Sequence, residues 1–262
     1  MRRIVAVSLL SLFVFAPAWG AIKEQEVEYK AGDVMLKGYM VYDDAAKGKR
    51  PAVLVVHEWW GHDQHARNGA RKLAEAGFVG FALDMYGDGK QAHHPKDASA
   101  MSGEIGKNLN LMQMRFDAAR SFLSTQDNVD AKRMGAIGYC FGGTVVLQMA
   151  RAGEDLRGVV SFHGGLGTEQ PAQKGKIKSQ VLVLTGGADP FVPKAQVDGF
   201  VKEMKTADAK FKVISYPGAK HGFTNPAATE NGQKFNIPLA YDADADKKSW
   251  AEAQKFLKGA LK

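Results

Sequence analysis

The only cysteine in this chain of 262 residues, Cys140, lies at the centre of Gly138-Tyr139-Cys140-Phe141-Gly142-Gly143. An apolar run, Met134 to Ile137, leads into it, and a helix-like run, Thr144 to Ala152, leads away. Strand, sharp turn and helix form the setting of a nucleophile elbow, with the reactive side chain at the apex. Flanking glycines suit a tight turn whose neighbouring backbone leaves little room for a Cβ. The apex here is a thiol, so the expected chemistry is attack by a thiolate. The N-terminus of the following helix favours that anion.

A thiol nucleophile needs a base and a group to orient that base. Asp189 lies in Thr185-Gly186-Gly187-Ala188-Asp189-Pro190, directly after the apolar run Val181 to Leu184. His221 lies in Gly218-Ala219-Lys220-His221-Gly222-Phe223, after a strand ending at Tyr216. Nucleophile, acid and histidine, in that chain order and each on a loop after a strand, match an α/β-hydrolase. His221 would take the thiol proton and later protonate a leaving alkoxide, with Asp189 fixing the imidazole tautomer. The tetrahedral oxyanion needs backbone donors. The Phe141 N–H is one, and an N–H from the loop after the strand Ala52 to Val56 is the other.

The elements that must carry these loops are legible as hydrophobic patterns. Gln25 to Lys30 and Met35 to Tyr42 alternate as a hairpin around Ala31-Gly32-Asp33. Six strand-like runs follow: Ala52 to Val56, Phe78 to Leu83, Met134 to Ile137, Val159 to Phe162, Val181 to Leu184 and Phe211 to Tyr216. Helical patterns separate most of them, over Ala66 to Ala76, Ala98 to Leu123, Thr144 to Ala152 and Lys194 to Lys205. A last helix is expected over Asp244 to Leu261. Near-continuous apolar strands alternating with helices predict a mostly parallel sheet covered on both faces. The expected fold is α/β, with the antiparallel hairpin ahead of that sheet.

The loop after Ala52 to Val56 reads His57-Glu58-Trp59-Trp60-Gly61. With the cysteine elbow, Asp189 and His221-Gly222-Phe223, it resembles the dienelactone hydrolase family of α/β-hydrolases. The resemblance runs through Leu83-Asp84-Met85-Tyr86-Gly87 to the terminal helix with Trp250. It implies that Glu58 pairs with the resting thiol and takes part in its activation. It also implies that Trp59 supplies the second oxyanion N–H. Family members anchor a substrate carboxylate with two arginines. Here the first region reads Tyr86-Gly87-Asp88-Gly89-Lys90, and the second position is Asn225. A lysine does not reproduce a guanidinium fork, so the departure implies a substrate other than dienelactone. Trp60, Tyr86, Lys90, Phe223 and Asn225 are the expected pocket residues, shaped by the loops Gly87 to Pro95 and Asn225 to Tyr241.

Other features bound the reading. Arg2-Arg3, the apolar stretch Ile4 to Ala16, and Ala18 and Gly20 at −3 and −1 predict a signal peptide over residues 1–20, cut near Gly20. Residues 21–262 are then expected to form a single α/β domain in an exported, periplasmic protein, without stable membrane insertion. The formal charge of +7 is spread over helix faces and loops, which points to solubility rather than nucleic acid. Histidines 57, 62, 65, 93 and 94 lack the spacing of a zinc site, and neither metal nor cofactor is expected. Asp84 precedes the nucleophile and reads as a structural hydrogen-bonding group. His163 ends another strand and is not assigned as a base. The expected function is hydrolysis of a small ester or lactone through a thioester acyl-enzyme. The alternative is a thiol redox protein, in which Cys140 cycles without ester chemistry.

Overall fold

A computed structural model describes residues 22–262; the expected signal peptide lies outside the described residues. The chain runs β1 (Ile22–Ala31), β2 (Val34–Asp43), β3 (Arg50–Val56), α1 (Gln64–Glu75), β4 (Val79–Leu83), α2 (Pro95–Gly106) and α3 (Leu109–Ser124). It continues through β5 (Val129–Tyr139), α4 (Phe141–Ala152), β6 (Gly158–Phe162), β7 (Gln180–Gly186), α5 (Lys194–Thr206), β8 (Phe211–Tyr216), α6 (Ala228–Phe235) and α7 (Ala243–Ala260). Eight strands form one sheet in the order β1-β2-β4-β3-β5-β6-β7-β8. β1 pairs antiparallel with β2, and β2 antiparallel with β4; the other neighbours run parallel. The mostly parallel sheet with its leading antiparallel pair is the architecture that the hydrophobic runs predict.

Burial on both faces explains why the central strands read as unbroken apolar runs. Along β3, Leu54 and Val56 join Phe81, Leu83, Phe116, Val145 and Phe200, a core layer between the sheet and the helices α3, α4 and α5. Val53 and Val55 point the other way, into a layer with Ala70 and Leu73 of α1 and Leu257 of α7. The period of two along the strand thus feeds two cores at once. Carboxyl ends of β3, β5, β7 and β8 all emerge at one edge of the sheet, and the loops beyond them carry Glu58, Cys140, Asp189 and His221.

Three local expectations need correcting. The single helix expected over Ala98 to Leu123 is two helices, α2 and α3, broken at Lys107 and Asn108. Asn108 starts the second one by accepting a hydrogen bond from Leu111 N at 3.0 Å, as an N-cap does. The stretch Asn225 to Tyr241 is not loop throughout, because it folds α6. That helix presents Gly232 to the strap behind it, where a Cβ would come within 2.5 Å of Leu239 O. The strand expected over Met134 to Ile137 starts earlier. β5 already begins at Val129, which is fully buried and pairs with Arg50.

Candidate active site

The elbow forms because β5 runs directly into α4 with one residue between them. That residue is Cys140, at φ 51° and ψ −113°, a conformation costly for a side chain and held by its surroundings. A Cβ on Gly138 would lie 2.0 Å from Gly142 O, and one on Gly142 would lie 2.2 Å from Val56 O. Both shoulders of the turn therefore need glycine for space. Cys140 N donates to Phe162 O at 3.0 Å and to His163 Nδ1 at 3.1 Å, anchoring the strained residue to the neighbouring strand.

The turn brings three distant side chains into line. His221 Nε2 lies 3.0 Å from Cys140 Sγ, and His221 Nδ1 donates to Asp189 Oδ2 across 2.8 Å. Asp189 is in turn fixed by accepting from Phe191 N at 2.8 Å. Asp189 and His221 are both buried. Burial alone would push the imidazole toward neutrality. The electrostatic influence of Cys140 and the hydrogen bonds to Asp189 and the sulfur outweigh burial and raise its pKa to about 10. The arrangement can hold an imidazolium beside a thiolate.

Glu58 follows the end of β3 and is buried. Its Oε2 accepts from Asn225 Nδ2 at 2.6 Å, whereas the sulfur faces His221. In this arrangement Glu58 pairs with Asn225 and the sulfur with His221. Burial, followed by the nearby Asp63 carboxylate, raises the Glu58 pKa to about 7, against the opposing pull of Asn225 and His221. Asn225 occupies the position where the resemblance calls for an arginine. It serves the carboxylate of the protein itself.

A cavity of about 280 Å³ opens over the sulfur, lined by Trp59, Phe141, Phe191, Ile237 and Leu239, with Ser102, Thr144 and Gly165 completing the wall. The loop carrying Trp59 is held by Tyr86, whose hydroxyl donates to Trp59 O at 3.0 Å. Phe141 is the first residue of α4, where helical N–H groups lack intrahelical acceptors. Of the other expected pocket residues, Tyr86 stands behind the wall, its ring 5.7 Å from that of Phe141. Trp60 packs on Phe235 and, with Asn225, lines a separate cavity of about 490 Å³. Lys90 is exposed and does not line the cavity over the sulfur. Phe223 is a core residue rather than a pocket wall, fully buried against His163 and Tyr216.

Several contributors escape a reading of the sequence. Phe191 lies two residues after Asp189 and sets its ring 5.1 Å from His221. Ile237 and Leu239 follow α6, and Leu239 forms a bridge to His221 that brings this strap over the histidine. His163, at φ 40°, is fully buried and passes its other nitrogen to Thr224 Oγ1 at 2.8 Å. Burial, with His221 and His65 nearby, holds its pKa well below the ordinary value, so it stays a neutral acceptor for the Cys140 amide. Three of the remaining histidines have structural tasks. His57 donates to Glu58 O at 2.6 Å and accepts from Met85 N, His62 donates to Ala82 O, and His94 caps α2. Asp84 accepts from the backbone N–H groups of Lys37, Tyr86, Gly87 and Gly89, tying β2 to the loop after β4.

A mostly parallel sheet with an elbow after its central strand, and an acid and a histidine on later strand-end loops, defines the α/β-hydrolase class. Within that class the chain belongs to the dienelactone hydrolase family, whose family model matches residues 36–261. It is accordingly an ester or lactone hydrolase. The chain is 30% identical over 205 residues to Protein usf of Aquifex pyrophilus, covering 77% of this chain and 87% of that one. Its structure resembles the crystal structure of a dienelactone hydrolase-like promiscuous phosphotriesterase from metagenomic libraries, with TM-score 0.86 and 34% identity over 93% of this chain and 100% of the other. A dienelactone hydrolase of Anabaena variabilis shares the fold at 19% identity and TM-score 0.67, covering 92% of this chain and 99% of that one.

Proposed function

We propose that this chain hydrolyses a small ester or lactone through a thioester formed on Cys140, with His221 and Asp189 completing a triad. The observation that carries the reading is the position of His221, 3.0 Å from the sulfur through Nε2 and 2.8 Å from Asp189 through Nδ1. The Cys140 thiolate adds to the carbonyl carbon, and the carbonyl electrons move onto oxygen. The Phe141 and Trp59 N–H groups receive that oxyanion. As the C–O bond breaks, the His221 proton passes to the departing alkoxide and leaves a thioester. Neutral His221 then takes a proton from water, whose oxygen attacks the thioester carbon. The sulfur departs as thiolate beside the restored imidazolium, and the acid is released. In this reading the buried, Asn225-bound Glu58 shields the sulfur's surroundings, and the enzyme acts after export, with residues 1–20 removed.

A neutral phosphotriester is a second substrate type. It is favoured by the apolar wall over the sulfur and by the likeness to a promiscuous phosphotriesterase. The test compares wild type with Cys140→Ala and His221→Ala on short acyl aryl esters, simple lactones and one aryl phosphotriester. Intact-mass measurement during turnover should find the acylated chain in wild type and not in Cys140→Ala. No turnover across the panel, or full rates in both variants, defeats the proposal. Peroxide-dependent oxidation of Cys140 without ester turnover would instead favour thiol redox chemistry.

A further inference from the structure

We propose that the cavity over Cys140 selects neutral, apolar acyl groups and rejects substrates whose acyl part carries a carboxylate. The inference rests on the hydrolase reading above and deepens it by naming the substrate class. Five large apolar side chains make most of the wall, from Trp59, Phe141, Phe191, Ile237 and Leu239. The two hydroxyls on that wall are already engaged. Ser102 Oγ donates to Ala98 O at 2.7 Å, and Thr144 Oγ1 donates to Gly165 O at 3.2 Å. What remains to meet an acyl chain is hydrocarbon and ring surface, with the Trp59 indole N–H as one uncharged donor.

No lysine or arginine lines this cavity among the described residues. Each cation nearby in the fold has another place. Lys90 is exposed elsewhere, Lys107 lines the adjacent groove, and Arg115 Nη1 donates to Met85 O at 3.2 Å. Asn225 is turned away to Glu58. His221 is the one cation at the sulfur, and both its ring nitrogens are occupied, by Asp189 and by Sγ. A substrate carboxylate would therefore shed its water and find no lysine or arginine in return, in a site that already buries the Glu58 carboxyl. An apolar chain loses nothing by the same transfer, and each buried methylene is worth about a fourfold gain in affinity. A volume of about 280 Å³ sits at the low end for small-molecule sites, so the acyl group is short to medium.

The test uses the wild-type mature chain and two esters with the same leaving group, 4-nitrophenyl hexanoate and mono-4-nitrophenyl adipate. They differ by a terminal methyl against a terminal carboxylate, and each rate is corrected for spontaneous hydrolysis. The expected kcat/KM favours the hexanoate by on the order of 100-fold, two decades at about 1.4 kcal/mol each. A preference below about tenfold, or one for the adipate, overturns the proposal and leaves the thiol-hydrolase reading standing. Turnover of neither ester removes that reading and this proposal with it. Ile237→Arg, which sets a guanidinium in the wall, should raise kcat/KM for the adipate at least tenfold. An unchanged adipate rate in a folded Ile237→Arg chain would mean that the acyl group does not meet this wall, which also overturns the proposal.

Discussion

Asn225 and Glu58 lie 167 residues apart in the chain and 2.6 Å apart in the fold, joined by a hydrogen bond from amide to carboxylate. Asn225 lines a separate cavity, and its amide serves Glu58 rather than the cavity over Cys140. The pairing also leaves a carboxyl buried at a pKa of about 7.

That carboxyl makes stability depend on pH. Its folded pKa is raised above the unfolded value near 4.5, so the contribution of protonated Glu58 is fully present below about pH 4.5. It is lost as pH rises to about 7, an effect of up to about 3 kcal/mol. Glu58→Gln keeps the hydrogen-bonding shape without the charge. The melting temperature of the variant should gain on that of wild type between pH 5 and pH 8. Melting curves that stay parallel across that range would contradict the buried-carboxyl account.

The elevated pKa of His221 sets a different dependence. Its proton is retained until pH approaches about 10, so kcat/KM should fall on the alkaline side as that proton is lost. Asp189→Asn weakens the hydrogen bond that helps hold the proton. The alkaline limb should move to lower pH, and kcat should drop by about 10²- to 10⁴-fold. A pH–rate profile with an unmoved limb would show that Asp189 does not act on His221.

Steric need at the elbow can be read without any assay of activity. Gly138→Ala and Gly142→Ala place a methyl within 2.0 Å and 2.2 Å of backbone oxygens. Each should cost about 3 kcal/mol or more in a denaturant titration, because backbone must move. Gly199→Ala on α5 meets nothing within 4 Å and should be neutral or slightly stabilising. Equal effects at the three sites would refute the packing argument.

The proposed export predicts a shortened chain. Mass spectrometry of the protein recovered from the periplasm should find an N-terminus near Ala21. A chain beginning at Met1 there would defeat cleavage.

Local rules made much of the molecule readable in advance. The buried runs Ala52 to Val56, Val159 to Phe162 and Val181 to Leu184 lie within β3, β6 and β7, because burial on both faces demands uninterrupted apolar side chains. The split between α2 and α3 was harder to read, since Asn108 looks like any polar helix residue until its side chain caps Leu111. α6 buries only Ala228 and Gly232, too little apolar surface for a periodic signal.

The same division runs through the site. The sequence by itself determined the elbow and the order Cys140, Asp189, His221, because a strained turn needs glycines at fixed offsets and strand-end loops follow their strands. It also determined that no arginine stands at either anchoring position. Only the tertiary structure decided that Asn225 binds Glu58, that Phe223 is core, that Lys90 points elsewhere, and that Phe191, Ile237 and Leu239 wall the cavity. Those outcomes depend on which way side chains point once separate loops meet, and nothing within a few residues of each position dictates that.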